Sequence, residues 1–373
     1  MKLVIISHTE HYKSVDGTIV GWGATVTEIN QLAKYFDEIY HVAFLYSNNP
    51  PSSALPYSAS NIHFIPLEPV GGNSFSKKVK VIFSIPRIIK TIENTLKKVD
   101  VFQLRTPTGM GVFLIPWFTV FPHKKGWYKY AGNWVQKKPP FGYAIQRWLL
   151  RHQNRPVTVN GNWKDDEKQI IPFENPCLTS KDREVGKDIV KSKRYVRHKK
   201  YCFVGGLNDN KGILLVLQAF EEKICDEFAE LHIVGDGPLK KTVGLKSLTM
   251  DTKIIVHGSL SRTAVHDIYK ECHFLILPSK SEGFPKVIGE AMNFGCIPIV
   301  SNISCIDQYI VDEINGFLLE ASTVGAIKKA IQRSCQVSEE KFNDMIRLNY
   351  KLAEKFTYSY YIERIQNDIF KNL

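Results

Sequence analysis

The fold is decided by residues 274–295, which read FLILPSKSEGFPKVIGEAMNFG. The first four of these residues are apolar and predict a buried strand. Pro278 and the polar residues after it end this strand, and Gly283 turns the chain. Pro285 is predicted to occupy the first helical position, where its missing N–H group costs little, and the helix should end at Gly295. The sequence therefore predicts a strand, a tight loop and a helix N-terminus in succession.

The predicted loop has the features of a phosphate site. The backbone N–H groups of Phe284, Lys286 and Val287 are expected beside the positive end of the helix dipole. Glu282 lies at the start of the loop, and Glu290 follows about two turns along the helix. A carboxylate repels a bound anion, but it can accept two hydrogen bonds from a vicinal diol. A diphosphate flanked by two sugars carries both kinds of group, whereas the alternative is an ordinary strand-to-helix junction with solvated glutamates.

Glu282 and Glu290, with seven residues between them, resemble the E-x7-E signature of the family 4 retaining glycosyltransferases. The flanking Gly283-Phe284-Pro285 turn and the preceding strand belong to the same pattern, and the blocks from Tyr201 to Glu320 follow the family's order. The resemblance implies the GT-B fold, an α/β fold in which two Rossmann-like domains with parallel sheets face each other across a cleft. It also implies a nucleotide diphosphate sugar as donor, with no metal or other cofactor.

Carried over by position, the resemblance gives roles to residues of the second domain. Glu282 would contact hydroxyls of the transferred sugar, and Glu290 would hold the ribose diol. Lys211 would neutralise the leaving diphosphate as the glycosidic bond breaks. Seven further residues are assigned to donor binding: Gly205, Gly206, Gly283, Phe284, Pro285, Lys286 and Val287. The residues from Gly283 to Val287 would act through their backbone groups.

Two positions depart from the family pattern. Many members carry an arginine where this chain has Gly206, and Arg105 or a lysine from the other domain is the candidate substitute. Members also often carry a histidine where this chain has Tyr130-Ala131-Gly132. A retaining enzyme whose leaving phosphate takes the acceptor proton does not need a side-chain base, so no general base is assigned. His8 and His123 are candidates by elimination alone.

Alternating strands and helices predict two parallel sheets, each covered on both faces. Residues 1–180 are predicted to form an acceptor-binding domain, 181–350 a nucleotide-sugar-binding domain, and 351–373 a C-terminal helix that crosses back to the first domain. The charged segment 181–200 is interpreted as the connection between the domains. The closing helix is expected to begin near Glu339.

The first strand is predicted at Lys2–Ser7, followed by a long loop that ends at Gly23. Gly21-Trp22-Gly23 precedes the first helix and resembles the family's glycine-rich turn, which faces the donor. Gly21 and Gly23 are therefore assigned to the substrate site. A simple turn is the alternative.

The net charge of +12 is concentrated in one region. Residues 76–156 carry sixteen Lys and Arg against two acidic residues, a local balance of +14. Aromatic residues lie among these cations: Phe75, Phe83, Trp117, Phe118, Trp127, Tyr128, Trp134, Phe141 and Trp148. This combination predicts contact with an anionic membrane surface, whereas the alternative is a solvated lysine-rich surface. Nucleic acid is not the expected partner, because no recognition motif accompanies the cations.

The expected location is the cytoplasm, at the inner face of the cytoplasmic membrane. No N-terminal signal peptide is visible, and the most apolar later run is too short to span a bilayer. The seven scattered cysteines favour reduced thiols.

The sequence therefore predicts a retaining glycosyltransferase, a hexosyltransferase that uses UDP or GDP sugars. Its acceptor would be a saccharide or a lipid-linked saccharide, in bacterial surface polysaccharide or lipopolysaccharide synthesis. The alternatives are another GT-B enzyme, such as a nucleotide-sugar epimerase, and an inactive membrane-bound scaffold. The nucleotide base, the sugar, the acceptor and the linkage are not indicated.

Overall fold

The computed structural model describes residues 1–70, 75–121, 124–164, 167–221 and 229–373, with the side chains of 75–80 and 372 excepted. These residues form two compact units. Unit 1 consists of Met1–Phe173 and Ile362–Leu373, and unit 2 consists of Glu174–Tyr361. The division therefore lies before residue 180, where the sequence analysis placed the domain boundary.

Unit 1 contains a mixed sheet and the helices that cover it. Its strands are β1 Lys2–Lys13, β2 Ile19–Trp22, β3 Glu38–Tyr46, β4 Ala54–Pro56, β5 Ile62–Leu67, β6 Val101–Thr106, β7 Lys125–Tyr130, β8 Val157–Val159 and β9 Ile170–Pro172. Its helices are α1 Gly23–Leu32, α2 Phe75–Leu96, α3 Gly111–Val120 and α4 Phe141–Arg151. The parallel strands follow the order β5-β3-β1-β6-β7-β8-β9, while β2 and β4 add antiparallel pairs beside the end of β1.

Unit 2 has a six-stranded sheet in the order β12-β11-β10-β13-β14-β15, with parallel pairing throughout. Its strands are β10 Lys200–Val204, β11 Glu230–Val234, β12 Lys253–Gly258, β13 Phe274–Leu277, β14 Ile297–Ser301 and β15 Phe317–Leu319. Its helices are α5 Ser180–Ser192, α6 Ile213–Ala219, α7 Lys240–Ser247, α8 Arg262–Glu271, α9 Lys286–Asn293, α10 Val324–Cys335, α11 Glu339–Leu352 and α12 Tyr358–Arg364, the last of which continues into unit 1.

The strand–loop–helix unit predicted from residues 274–295 is present. All four residues of β13 are buried, as expected for a parallel strand covered on both faces. Pro285 is the N-cap of α9 rather than its first helical residue, a shift of one position. Helix α9 ends before Gly295, whose φ of 71° is the left-handed conformation that favours glycine at this place.

Three predictions about local structure are wrong. The first strand does not end at Ser7, because β1 continues to Lys13 through an irregularity in its pairing with β3 between Ile6 and Glu10. Segment 181–200 is not a plain connection, because it contains α5, which a Thr179–Asp182 capping box starts. Residues 339–373 are not one helix, because short 3₁₀ segments and a π segment interrupt them.

Several aromatic residues of the basic region belong to the core of unit 1. Trp127, Tyr128 and Trp134 are completely buried, and Phe118 stacks on Phe102 with ring centroids 3.9 Å apart. Strand β7 is buried on both faces, so Trp127 and Tyr128 are buried although they follow each other, and Lys129 beside them is buried as well. The prediction that these four aromatic residues contribute to a membrane surface is therefore wrong. Phe75 lies outside the described side chains.

Among the described cysteines, five are free and buried: Cys177, Cys202, Cys272, Cys296 and Cys305. Cys335 is disulfide-bonded, so the prediction of reduced thiols is wrong for this residue.

Candidate functional site

The sheet of unit 2 reverses its strand order between β10 and β13. Strand β11 lies on one side of β10, and β13 lies on the other. The loops that follow these two strands, residues 205–212 and 278–285, therefore leave the sheet side by side at its carboxyl edge. Open α/β sheets bind ligands at this kind of crevice.

Lys211 and Glu282 meet at this edge. Lys211 Nζ lies 2.6 Å from Glu282 Oε1, and the two side chains are 20% and 18% exposed. The Asn210 side-chain amide donates to the same carboxylate at 3.3 Å and to the carbonyl of Ser281 at 3.0 Å. Lys280 N–H donates to the carbonyl of Asn210 at 2.8 Å. The two loops are thus joined by backbone and side-chain contacts.

Gly212 permits this close approach. Its φ is 71°, and a Cβ atom there would lie 2.8 Å from the carbonyl oxygen of Pro278. Only glycine accepts that backbone conformation without strain at such a short distance. The sequence motif Lys211-Gly212 therefore places the lysine directly against the second loop.

The N-terminus of α9 opens onto the same loop. Pro285 is the N-cap, and no side chain caps this helix among the described residues. Phe284 anchors the loop, because its ring stacks on Phe356 at 4.6 Å and meets Tyr309 edge-on at 5.0 Å. Lys286 lies in the first turn, where a cation opposes the helix dipole unless an anion is bound. The segment Gly283–Val287 thus combines a fixed loop with an electropositive helix end.

Glu290 lies one turn beyond Lys286 on α9, and Tyr269 Oη donates to its carboxylate at 3.5 Å. Burial raises the pKa of Glu290 to about 7, although the positive charges of Arg262 and Lys286 oppose this shift. Near neutral pH the group is therefore divided between its two protonation states. Only the ionised carboxylate can accept both hydrogen bonds of a diol.

Arg262 and Asp182 are parts of this site that the sequence analysis missed. Arg262 forms a bidentate pair with Asp182, with N···O distances of 2.7 and 3.2 Å, and also donates to the carbonyl of Cys177 at 2.5 Å. Arg262 follows the N-cap residue of α8 and Asp182 belongs to a capping box, so both look locally like helix-start residues. No local signal in the sequence connects them with Glu290.

Gly205 and Gly206 follow β10 and contact the turn after β11. Gly205 N–H donates to the carbonyl of Val234 at 3.0 Å, and a Cβ atom on Gly235 would lie 1.9 Å from the carbonyl oxygen of Gly205. A Cβ atom on Gly206 would meet only the end of the Asn208 side chain within 3 Å. This position therefore has room for a side chain, although the chain has none there.

The remaining predicted residues, Arg105, Gly21 and Gly23, belong to unit 1. The sheet of unit 1 has its own reversal of strand order between β1 and β6, and Arg105 lies beside it near the end of β6. Arg105 Nη2 lies 2.9 Å from Glu28 Oε1, and Lys129 Nζ lies 2.6 Å from the same oxygen. Arg105 therefore already has a buried carboxylate partner within unit 1.

A chain of hydrogen bonds lies beneath Gly21 in unit 1. Ser7 Oγ is 2.7 Å from His41 Nε2, His41 Nδ1 is 2.5 Å from Tyr57 Oη, and Tyr57 Oη is 2.8 Å from His11 Nε2. Burial lowers the pKa of His11 to about 4 and lowers the pKa of His41 as well. The imidazoles are therefore neutral at neutral pH. The hydroxyl groups of Ser7 and Tyr57 provide their hydrogen-bond partners.

Of the two histidines named as general-base candidates by elimination, the structure describes only His8. His8 meets Phe44 edge-on at 4.7 Å, and burial lowers the pKa of its imidazole. Its Nδ1 atom is buried and has no hydrogen-bond partner among the described residues. His123 lies outside the described residues.

Neither a metal cluster nor a membrane-spanning helix is found in the described part of the chain. No group of three or more His, Cys, Asp or Glu residues there could hold a metal ion. None of the helices there is long and apolar enough to cross a bilayer.

Comparison with known proteins gives relatives for both the sequence and the fold. Residues 185–351 match the family model described as "Glycosyl transferases group 1". The chain is 29% identical over 130 residues to an uncharacterized glycosyltransferase of Methanocaldococcus jannaschii, covering 35% of this chain and 36% of that protein. It is 29% identical over 174 residues to the lipopolysaccharide 1,2-N-acetylglucosaminetransferase of Salmonella typhimurium, covering 41% of this chain and 46% of that protein. These alignments span less than half the length of the curated relatives.

Solved structures resemble the whole chain. Anabaena HepE in complex with UDP and glucose superposes with a TM-score of 0.68 at 13% identity, covering 98% of both chains. The lipopolysaccharide outer core galactosyltransferase WaaB superposes with a TM-score of 0.67 at 18% identity, covering all of both chains. At these identities the likeness concerns the fold, and it confirms the predicted fold class. The protein has the GT-B fold, and its residues 185–351 match the model of the group 1 glycosyl transferases.

Proposed function

We propose that the protein is a retaining glycosyltransferase that moves a sugar from a nucleoside diphosphate sugar to a saccharide or lipid-linked saccharide. The observation that carries this proposal is the pairing of Lys211 with Glu282 beside the N-terminus of α9, which no side chain of the described residues caps. A cation, a helix N-terminus and a carboxylate there match a diphosphate joined to a hydroxyl-rich group. The family match over residues 185–351 supports the same reading.

Each group has a role in the proposed step. The bond between the sugar C1 and the diphosphate oxygen breaks, and a bond from C1 to the acceptor oxygen forms on the same face. The acceptor proton passes to the leaving phosphate, so no side-chain base is required. Lys211 and the N-terminus of α9 stabilise the negative charge that develops on the diphosphate. Glu290 holds the ribose diol, and Glu282 binds hydroxyls of the transferred sugar.

The preferred nucleotide in this proposal is UDP, because HepE was solved with UDP and glucose. The proposed setting is the synthesis of surface polysaccharide or lipopolysaccharide, by analogy with the Salmonella transferase and WaaB. The donor side of the site uses backbone groups and Lys211 for the phosphates. The reaction is therefore proposed to proceed without a metal, and chelation by EDTA should leave the rate unchanged.

The test begins with a panel of UDP and GDP sugars. A true donor should protect the protein against thermal unfolding and should release nucleoside diphosphate on turnover. Glu290→Ala should raise the donor KM or abolish turnover, while Glu340→Ala, an exposed glutamate on α11, should leave both unchanged. An unchanged rate in Glu290→Ala contradicts the proposal. An altered free sugar formed without an acceptor would indicate an epimerase instead, and absence of nucleotide release would indicate a scaffold.

We further propose that unit 1 binds an anionic membrane surface through a part of residues 76–156. Phe141 and Trp148 are 81% and 60% exposed, and their spacing of seven residues places them on one face of α4. Lys137 and Lys138 precede this helix and are exposed. Exposed aromatic rings beside lysines suit the interface of an anionic bilayer.

This surface can be tested without any substrate. The protein should co-float with vesicles that contain phosphatidylglycerol, bind less at high salt, and ignore vesicles of phosphatidylcholine alone. Changing Phe141 and Trp148 together to Ser should reduce binding several-fold, whereas Trp22→Ser, an equally exposed tryptophan outside this surface, should not. Equal binding to both kinds of vesicle would contradict the proposal.

A further inference from the structure

Trp22 is an exposed aromatic residue that the donor site does not use. It is 60% exposed and immediately precedes α1 in unit 1. Single exposed apolar residues are common and need no explanation by themselves. Trp22 differs from a typical exposed apolar residue in two ways. Its backbone is held rigidly, and it lies at the start of α1.

The glycines on both sides of Trp22 have no room for a side chain. A Cβ atom on Gly21 would lie 2.4 Å from the imidazole of His11, and one on Gly23 would lie 2.6 Å from the carbonyl oxygen of Ser53. Strand pairing adds to this constraint, since Gly21 pairs with His11 and Trp22 pairs with Ala54. The indole ring therefore projects into solvent from a backbone that is fixed on both sides. A ligand that packs against this ring would order little additional backbone, so the entropy lost on binding would be small.

The first two turns of α1 lie at the reversal of strand order in unit 1. Thr25 Oγ1 is 3.5 Å from Thr9 Oγ1, next to the irregular part of β1. Glu28 accepts a hydrogen bond from Arg105, which follows the last paired residue of β6 beside β1. Trp22 thus stands at the start of the helix whose polar side chains reach the ligand-binding edge of this sheet.

The chemistry of this edge suits a sugar ring. A pyranose has a rim of hydroxyl groups and a face of C–H groups. The hydroxyl groups of Thr9 and Thr25 at this edge can bond to the rim. A tryptophan ring covers the apolar face over a large area while ordering only two side-chain torsions. We infer that Trp22 packs against a sugar ring of the acceptor and forms the aromatic wall of an acceptor subsite in unit 1. The inference rests on the proposed function, since it assigns a residue to the acceptor of that reaction.

The experiment measures nucleotide release from the donor sugar, with and without a panel of methyl glycosides as soluble acceptors. Basal release in their absence reports donor hydrolysis, and its stimulation reports acceptor binding. Trp22→Ala should raise the KM for the stimulating glycoside about tenfold, the effect of losing one aromatic contact. The donor KM should change much less than the acceptor KM, and the midpoint of thermal unfolding should stay the same. Trp22→Phe should restore most of the affinity.

Trp148→Ala is the matched control, because Trp148 is equally exposed but lies on α4. It should leave the KM of a methyl glycoside unchanged. An unchanged acceptor KM in Trp22→Ala overturns the inference, as does an equal loss of donor binding, which would indicate a structural role. Donor hydrolysis that no glycoside stimulates also overturns it while leaving the donor site intact. A wild-type protein that neither binds nor hydrolyses any nucleotide sugar overturns the proposed function itself, and this inference with it.

Discussion

Lys211 Nζ lies 2.6 Å from Glu282 Oε1, so the cation assigned to the diphosphate is paired with the carboxylate assigned to the sugar. Both side chains are largely shielded from water, so the attraction is stronger than for a surface pair. A complete donor offers a partner to each residue, phosphate to Lys211 and hydroxyls to Glu282. A nucleoside diphosphate alone offers a partner only to Lys211, and binding it must leave Glu282 without its cation.

This pairing predicts opposite effects of two substitutions on nucleotide affinity. Glu282→Gln should tighten UDP binding several-fold, because the competing negative charge is removed. Lys211→Met should weaken UDP binding and lower kcat/KM on the order of a hundredfold, because transition-state stabilisation is lost. Both variants should turn over slowly. Calorimetric titration with UDP measures the first effect, with Lys280→Met, an exposed lysine of the same loop, as the control. Weaker UDP binding in both variants would argue against competition at Lys211.

Glu290 should make donor binding depend on pH. Its pKa is about 7 in the folded protein, and only the ionised carboxylate accepts both hydrogen bonds of the ribose. The donor KM should therefore rise as the pH falls from 8 to 6. In Glu290→Gln the donor KM should be high at every pH and should vary much less. A wild-type KM that stays constant over this range would contradict the assignment.

The same carboxyl group should influence stability with a definite sign. Its pKa is higher in the folded state than the ordinary 4.5, so its contribution to stability is complete below pH 4.5 and is lost as the pH rises through about 7. Replacement by Gln should remove this part of the pH dependence. Unfolding midpoints measured from pH 4.5 to 8 should therefore fall less steeply, or rise more steeply, in the variant than in the wild type.

Buried histidines should change the stability of the fold with pH in the direction opposite to Glu290. Burial lowers the pKa of His11 to about 4 and that of His273 to about 3, from an ordinary value of 6.5. Their contribution is complete above pH 6.5 and is lost as the pH falls through these values, on the order of 3 kcal/mol for His11. Urea unfolding between pH 4 and 7 should show this loss. His273→Asn should reduce the slope, whereas His63→Asn, at an exposed position, should not alter it.

Two glycines of unit 2 should respond differently to replacement by alanine. Gly235 has a φ of 148°, and a Cβ atom there would lie 1.9 Å from the carbonyl oxygen of Gly205. Gly235→Ala should therefore destabilise the protein by several kcal/mol and disturb the turn beside the donor loops. Gly244 lies in α7, and beyond its own helix backbone no atom of the described residues lies within 4 Å of a Cβ position there. Gly244→Ala should therefore stabilise by about 0.5–1 kcal/mol. Equal unfolding free energies in the two variants would contradict the close contact between Gly235 and the carbonyl group of Gly205.

Gly206 offers a gain-of-function test. A Cβ atom there would meet only the flexible end of Asn208, so a side chain can be accommodated by a small shift. Gly206→Arg should place a second cation near Lys211 and lower the Kd for UDP several-fold at low salt. Gly206→Gln, of similar length but uncharged, is the control. Equal affinity in the two variants would show that Gly206 does not face the diphosphate.

Much of the donor site could be predicted because its signals are local. The apolar run of β13, Pro285 and Gly295 fix a strand, a helix start and a helix end through contacts with their own neighbours in the chain. The spacing of Glu282 and Glu290 belongs to the same segment. By contrast, the pattern of aromatic residues among cations predicts too many aromatic residues at the surface. Trp127 and Trp134 are completely buried, and burial depends on how the whole unit packs.

By itself the sequence determined the alternation of strands and helices and the strand–loop–helix segment on which the donor site is built. Only the tertiary structure decided which groups meet there. It paired Lys211 with Glu282, and it placed Arg262 and Tyr269 around Glu290, since strand order brings together loops that are far apart in the chain. It also kept Arg105 with Glu28 in unit 1. These pairings depend on long-range strand order and burial, which local patterns of hydrophobicity do not specify.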